Sequence, residues 1–64
     1  MRTFTCFTTD QRYGVPTLSF ILAADEERAR EIARRELLSA REHTGIELHE
    51  NGRCIFTEKR SFAS

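Results

Sequence analysis

The dipeptide Asn51-Gly52, set between two segments of alternating polarity, constrains the fold of this chain more than any other feature. Both residues tolerate the positive φ angles of a two-residue type I′ turn, so residues 46–50 and 53–58 are predicted to form a β-hairpin. A two-residue turn also fixes the register, and therefore which side chains share a face. The predicted pairs, moving away from the turn, are Glu50–Arg53, His49–Cys54, Leu48–Ile55, Glu47–Phe56 and Ile46–Thr57.

One amphipathic helix is predicted over residues 25–42. Asp25 is a good N-cap, and the two glutamates that follow it favour a helix N-terminus. Neither Gly nor Pro occurs from there until Gly45, which is placed to end the turn out of the helix. At about 100° per residue, small apolar side chains fall in one stripe that suits close packing on a sheet. The stripe consists of Ala29, Ala33 and Ala40, flanked by Ile32 and Leu37. Glu36 projects near its centre, and is either buried there or at the border and paired with an arginine.

Residues 2–8 and 15–23 are rich in β-branched, aromatic and aliphatic side chains and are predicted to be strands. Pro16 cannot donate a ladder hydrogen bond, so the second strand is expected at a sheet edge. The predicted fold class is α+β: a ββαββ chain whose four-stranded, mainly antiparallel sheet has the order 2-1-3-4, with one helix on one face. The chain is expected to be a single domain over residues 1–58, followed by a flexible tail at 59–64.

One helix covers only one face of such a sheet, so the other face is expected to be open. Strand alternation predicts that Phe4 and Cys6 lie beneath the helix, together with a second set of apolar side chains from the next strand. That second set is Leu18, Phe20 and Leu22. The apolar side chains left for the open face are then Phe7, Ile21 and Phe56. Exposed apolar clusters tend to mark contact sites, so this face is the predicted partner interface. Alternatively, the tail covers it through Phe62.

The size of the chain favours association. A chain of 64 residues buries only about 60% of the surface that its unfolded form exposes, so its core is small. Cys6 and Cys54 are too few for a disulfide scaffold, and no C-x-x-C or H-x-x-x-H spacing indicates a zinc site, so no metal or other cofactor is predicted. A protein partner or a second copy is the remaining source of support. The first five residues show no signal-peptide pattern and no apolar run could cross a membrane, so the cytoplasm is the expected location.

Catalysis is not predicted. His49 and Cys54 are expected to be cross-strand neighbours, with Glu47 as a third group, and these are residue types that nucleophilic catalysis uses. A flat sheet face, however, offers neither a cleft nor free backbone N–H groups for an oxyanion. The predicted function is therefore a non-enzymatic protein-interaction module that self-associates through the open sheet face.

Weak nucleic-acid binding is the alternative. Arg30, Arg34 and Arg41 are predicted on one flank of the helix, where they could neutralise phosphates, while Phe7 and Phe56 could stack on bases. Against it, the chain carries ten basic and ten acidic side chains and has no net charge. A solvated, charged helix face is the simpler interpretation of these arginines.

The layout resembles a group of short uncharacterised proteins of α-proteobacterial genomes. The likeness is carried by Ala-Asp-Glu-Glu-Arg-Ala at residues 24–29 and by Gly-Ile-Glu-Leu-His-Glu-Asn-Gly-Arg at residues 45–53. The resemblance implies a ββαββ fold and a bacterial origin, and it implies no activity. The chain is also similar to HicB-like antitoxin domains in having strands followed by a helix that opens with acidic residues. It departs from them in lacking a Pro- and Gly-containing turn before the helix.

Overall fold

The computed structural model describes residues 1–60 and contains one helix and four strands in the order ββαββ. In chain order the elements are β1 (Arg2–Asp10), β2 (Thr17–Ala23), α1 (Glu26–Leu38), β3 (His43–Glu50) and β4 (Arg53–Lys59). The sheet order is β2-β1-β3-β4, and every neighbouring pair is antiparallel. The predicted fold class and strand order are confirmed.

The helix begins where the sequence predicts. The Asp25 carboxylate accepts a hydrogen bond of 2.8 Å from the backbone N–H of Arg28, which satisfies a free donor of the first turn. Within the described part of the chain, no helix is long and apolar enough to cross a membrane.

The helix ends at Leu38, four residues before its predicted end. The backbone N–H and the hydroxyl of Ser39 both donate to the Glu36 carbonyl, at 3.2 and 2.7 Å. The guanidinium of Arg60 donates hydrogen bonds of 2.9–3.0 Å to three further backbone carbonyls. In a longer helix, these carbonyls would accept hydrogen bonds from backbone N–H groups of the next turn. Those carbonyls belong to Leu37, Ala40 and Arg41. The helix therefore stops because a distant side chain caps it, a contact that local propensity does not encode.

Strand β3 is correspondingly longer than predicted. It starts at His43, so Gly45 lies inside the strand, opposite Thr9 on one side and Lys59 on the other, and does not end the helix. Strand β4 runs one residue past the predicted domain end at 58. Residues 61–64 of the predicted tail, with Phe62, lie outside the described residues.

The core lies between α1 and one face of the sheet. It contains nine buried side chains: Phe4, Cys6, Ile21, Ala23, Ala29, Ala33, Leu37, Ile46 and Leu48. The predicted burial of Ala29, Ala33 and Leu37 is confirmed, and Ala40 lies beyond the helix end. Full burial of a medium-sized apolar side chain is worth about 1.5–3 kcal/mol. This small core therefore supplies most of the stability available to the chain.

In the first hairpin, the predicted burial of Phe4 and Cys6 of β1 is confirmed, but β2 has the opposite face assignment from the predicted one. Phe4 lies opposite Ile21, which places Ile21 in the core, and Leu18, Phe20 and Leu22 on the other face. The prediction that Leu18, Phe20 and Leu22 lie beneath the helix is wrong. The helix begins only three residues after Ala23, and this small side chain leaves room for close packing near the first turn of α1.

The second hairpin turns at Asn51 and Gly52, whose φ angles are 54° and 78°, as predicted. The first two cross-strand pairs are confirmed, but a β-bulge then inserts Ile55 as an extra residue, so Leu48 faces Phe56. A one-residue shift reverses the face of every later side chain. Phe56 therefore lies on the helix side of the sheet, and its predicted place on the open face is wrong.

Candidate interaction surface

The sheet face opposite α1, named the open face below, has two chemically different halves. Its residues follow from the pairing of the strands: Leu18, Phe20 and Leu22 of β2; Thr3, Thr5 and Phe7 of β1; Glu47 and His49 of β3; Cys54 and Thr57 of β4. The side chains from β2 are all apolar, and those from β3 and β4 are polar or carry a thiol. The threonines of β1 separate the two halves.

The β2 half is an exposed apolar row. Leu18, Phe20 and Leu22 retain 52%, 69% and 61% of their accessible surface. Thr3 pairs with Leu22 and Thr5 pairs with Phe20 across the two strands. The threonine side chains are too small to cover the larger leucine and phenylalanine. A soluble domain rarely leaves large adjacent apolar side chains this exposed unless they contact something else.

The backbone of β2 adds to this exposure. In the order β2-β1-β3-β4, β2 is an edge strand that pairs with β1 alone among the described residues. Its sequence, Thr-Leu-Ser-Phe-Ile-Leu-Ala, carries no charge. The other edge strand, β4, carries Arg53, Glu58 and Lys59 and the β-bulge, which are features that discourage further strand pairing. Within residues 1–60, the β2 edge has neither a charged side chain nor a β-bulge.

The other half of the open face groups three side chains with metal-ligand chemistry. His49 Nε2 lies 3.0 Å from Glu47 Oε1, and one ligand atom from each of Glu47, His49 and Cys54 lies within 4.8 Å of the others. The Phe7 ring meets the His49 ring edge-on, with centroids 4.9 Å apart. The predicted juxtaposition of His49 and Cys54 is therefore observed, and Cys54 is a free, exposed thiol.

Of the three residues predicted for the partner interface, the structure places only Phe7 on the open face. Ile21 is buried beneath α1, and Phe56 is half-buried on the helix side. The residues that sequence reasoning missed are Leu18, Phe20 and Leu22. The signal that could have found them is the apolar run at residues 20–23, which is apolar on both faces of the strand, as in a strand covered on both sides.

The arginines of the nucleic-acid alternative are only partly grouped. Arg30 pairs with Glu26 at 2.8 Å and Arg34 with Glu58 at 3.2 Å, and both guanidinium groups lie over the Phe56 ring. Arg41 lies beyond the end of α1. The two aromatic residues, Phe7 and Phe56, lie on opposite faces of the sheet. The structure therefore brings Arg30 and Arg34 together with Phe56 on the helix side of the sheet, but it leaves Phe7 and Arg41 apart from them. Nucleic-acid binding stays an untested alternative.

Glu36 is exposed, so the alternative in which it is buried in the apolar stripe is wrong. A shallow depression of about 510 Å³ lies close by, on the outer side of α1. It is lined by Glu31, Arg34, Arg35, Leu38 and Ser39. Charges of both signs line it, and it shares no residue with the open face.

A buried carboxylate stabilises the far end of β1. Asp10 accepts hydrogen bonds from the backbone N–H, Nε and a terminal nitrogen of Arg12, at 2.8, 3.0 and 2.7 Å. Hydrogen bonding to this guanidinium lowers the pKa of Asp10 to about 2. His43 approaches the same carboxylate at 3.9 Å. The group is an ion pair that stabilises the chain where it leaves β1.

No protein-family model, no curated protein and no solved structure gives a significant match to this chain. The resemblance to short α-proteobacterial proteins therefore stays a prediction. Any function must be argued from the open face itself.

Proposed function

We propose that this protein is a small, non-enzymatic, cytoplasmic interaction module that self-associates through the β2 half of its open face. The observation that carries the proposal is the exposed row of Leu18, Phe20 and Leu22 on an uncharged edge strand. The row combines exposed side chains with a strand edge to which no other strand of residues 1–60 pairs.

A second copy of the chain is the partner that this surface fits best. In a twofold dimer the same patch meets itself, so the patch must not repel its own copy. A patch without charged side chains meets that condition, whereas a charged patch would need a partner of opposite sign. The chain as a whole is also neutral, so long-range repulsion between copies is small.

The expected strength follows from the exposed fractions. Full burial of a Leu or Phe side chain is worth about 1.5–3 kcal/mol, so covering the exposed part of each residue in the row gives about 1–2 kcal/mol. Twofold symmetry doubles the three contributions to about 6–12 kcal/mol. Association costs about 4–15 kcal/mol in lost freedom of motion, so the account predicts a weak dimer in the micromolar to millimolar range.

Sedimentation equilibrium over micromolar to millimolar concentrations tests the proposal. The average mass should rise with concentration from the monomer value of 7.4 kDa towards twice that value. A constant monomer mass up to millimolar concentration would contradict it. So would an assembly that keeps its mass when the β2 row is made polar.

A further inference from the structure

The polar half of the open face carries a second inference, which does not depend on self-association. We propose that Glu47, His49 and Cys54 form a three-ligand site for a divalent transition-metal ion of the Zn²⁺ type. All three ligand atoms come from one hairpin, and each lies within 4.8 Å of the other two. A monomer contains the whole set.

The hairpin geometry brings the ligands together. His49 and Cys54 are directly opposite each other next to the Asn51-Gly52 turn, and Glu47 lies two residues before His49, so all three share one face. In a tetrahedral zinc site, bonds of about 2.0–2.3 Å place ligand atoms roughly 3.4–3.6 Å apart. The observed 3.0 Å between His49 and Glu47 is slightly shorter than this, and the other separations are at most 4.8 Å. Glu47 and Cys54 are exposed, so the proposal requires these two side chains to rotate towards His49.

The donor set selects the class of metal. A thiolate and an imidazole favour Zn²⁺ and related borderline-soft ions over Mg²⁺ or Ca²⁺, which prefer oxygen ligands. Binding takes the thiol proton of Cys54 into solvent, and the resulting thiolate and the Glu47 carboxylate together neutralise the two positive charges of the ion. Because the ligands must be deprotonated, binding should strengthen as pH rises.

The surroundings also favour a site. The Phe7 and His49 rings pack in a T-shaped arrangement, which restricts the orientation of the imidazole. Glu47 and Cys54 are exposed, so a tetrahedral ion held by three protein ligands would keep its fourth position for water or another ligand. The hairpin register predicts that these three side chains are neighbours, but it does not mark them as metal ligands, because zinc motifs are recognised by ligand spacing along the chain.

Titration of the reduced protein with Co²⁺, followed by displacement with Zn²⁺, tests the assignment. Co²⁺ should produce a thiolate-to-cobalt charge-transfer band together with visible bands of tetrahedral type, at one ion per chain. Cys54→Ser should abolish the charge-transfer band. His49→Gln and Glu47→Gln should each weaken Zn²⁺ binding by more than about tenfold, because loss of even a second-shell partner commonly costs 10–100-fold.

Two control variants separate this site from the rest of the chain. Glu31→Gln changes an exposed carboxylate of α1 and should leave binding unchanged, and Cys6→Ala removes the buried thiol and should keep the band. Circular dichroism checks that each variant is folded. If Cys6→Ala fails to fold, alkylation of Cys54 in the native wild-type protein should remove the band instead. The proposal is overturned if wild-type protein shows no charge-transfer band at millimolar Co²⁺. It is also overturned if the band survives Cys54→Ser, or if the two Gln variants bind Zn²⁺ like wild type.

Discussion

Replacing Phe20 by glutamate is the sharpest perturbation of the proposed contact surface. Phe20 lies in the middle of the apolar row and is the most exposed of its three members, at 69%. Covering that fraction of a phenylalanine is worth about 2 kcal/mol of the roughly 3 kcal/mol for full burial. A twofold dimer contains the residue twice, so the substitution removes about 4 kcal/mol of association free energy, or about a thousandfold in Kd.

The assay compares the dimer dissociation constants of variant and wild type by isothermal dilution calorimetry. The folded monomer should be nearly unaffected, because Phe20 contributes little to the core, and thermal unfolding at low concentration checks this. Glutamate is a poor strand residue, so Phe20→Thr supplies a second variant that keeps β propensity and still removes the ring. Both variants should weaken the dimer.

Tyr13→Glu is the matched control, because Tyr13 is an aromatic residue of similar exposure, 60%, in the β1–β2 connection and outside the apolar row. It should leave the dissociation constant within about threefold of wild type, since most surface substitutions change free energies by about 0.5 kcal/mol or less. Equal dissociation constants for Phe20→Glu and wild type would refute the reasoning. An equal loss in Tyr13→Glu would refute it as well, because association would then depend on general surface polarity.

Three further expectations concern single groups of the fold. Arg60→Ala should lower the free energy of unfolding by about 1–3 kcal/mol in chemical denaturation, because three carbonyls at the end of α1 lose a charged donor, and Arg60→Lys should restore only part of it. The Arg12 guanidinium lowers the pKa of Asp10 to about 2, so this pair stabilises the fold above about pH 4 and its contribution is lost as pH falls towards 2. Asp10→Asn should accordingly flatten the dependence of Tm on pH in this range, and an unchanged slope would count against the ion pair. Burial raises the pKa of the Cys6 thiol, so mass spectrometry should find iodoacetamide on Cys54 in the native protein and on Cys6 only after unfolding.

The parts of the fold that could be predicted from the sequence are those with local signals. Asp25 caps its own helix through a residue three positions away, and Asn51-Gly52 fixes its turn through the φ angles of two adjacent residues. The strand order followed from Pro16 and from the constraint that a helix crossover imposes on parallel strands. These arguments need no knowledge of distant contacts.

The errors arose where distant contacts decide the structure. The helix end depends on Arg60, more than twenty residues after Leu37, and no local rule predicts that pairing. The connection between β1 and β2 is too long to fix a register, so the face assignment rested on which alternating set was more apolar. That criterion places Phe20 beneath the helix and Ile21 on the open face, and both placements are wrong.

The candidate surface also combines features that local sequence signals predict with features that they do not. The pairing of His49 with Cys54 was predictable because both lie next to the turn, on the near side of the β-bulge. Phe56 lies beyond the bulge, and the inserted Ile55 moved it to the other face. Because one helix covers only one face of the sheet, the sequence predicts an open face as the place of an interaction surface. It does not predict which side chains form that surface.

Intermolecular contacts between differently labelled copies test the central claim most directly. In a concentrated mixture of ¹³C-labelled and unlabelled protein, a filtered NOE experiment records only contacts between chains. We expect intermolecular NOEs among the side chains of Leu18, Phe20 and Leu22, with none from the outer side of α1. A sample that shows no intermolecular NOEs at millimolar concentration, or one whose NOEs come from α1, would contradict the claim that the β2 half of the open face is a contact surface between copies of this chain.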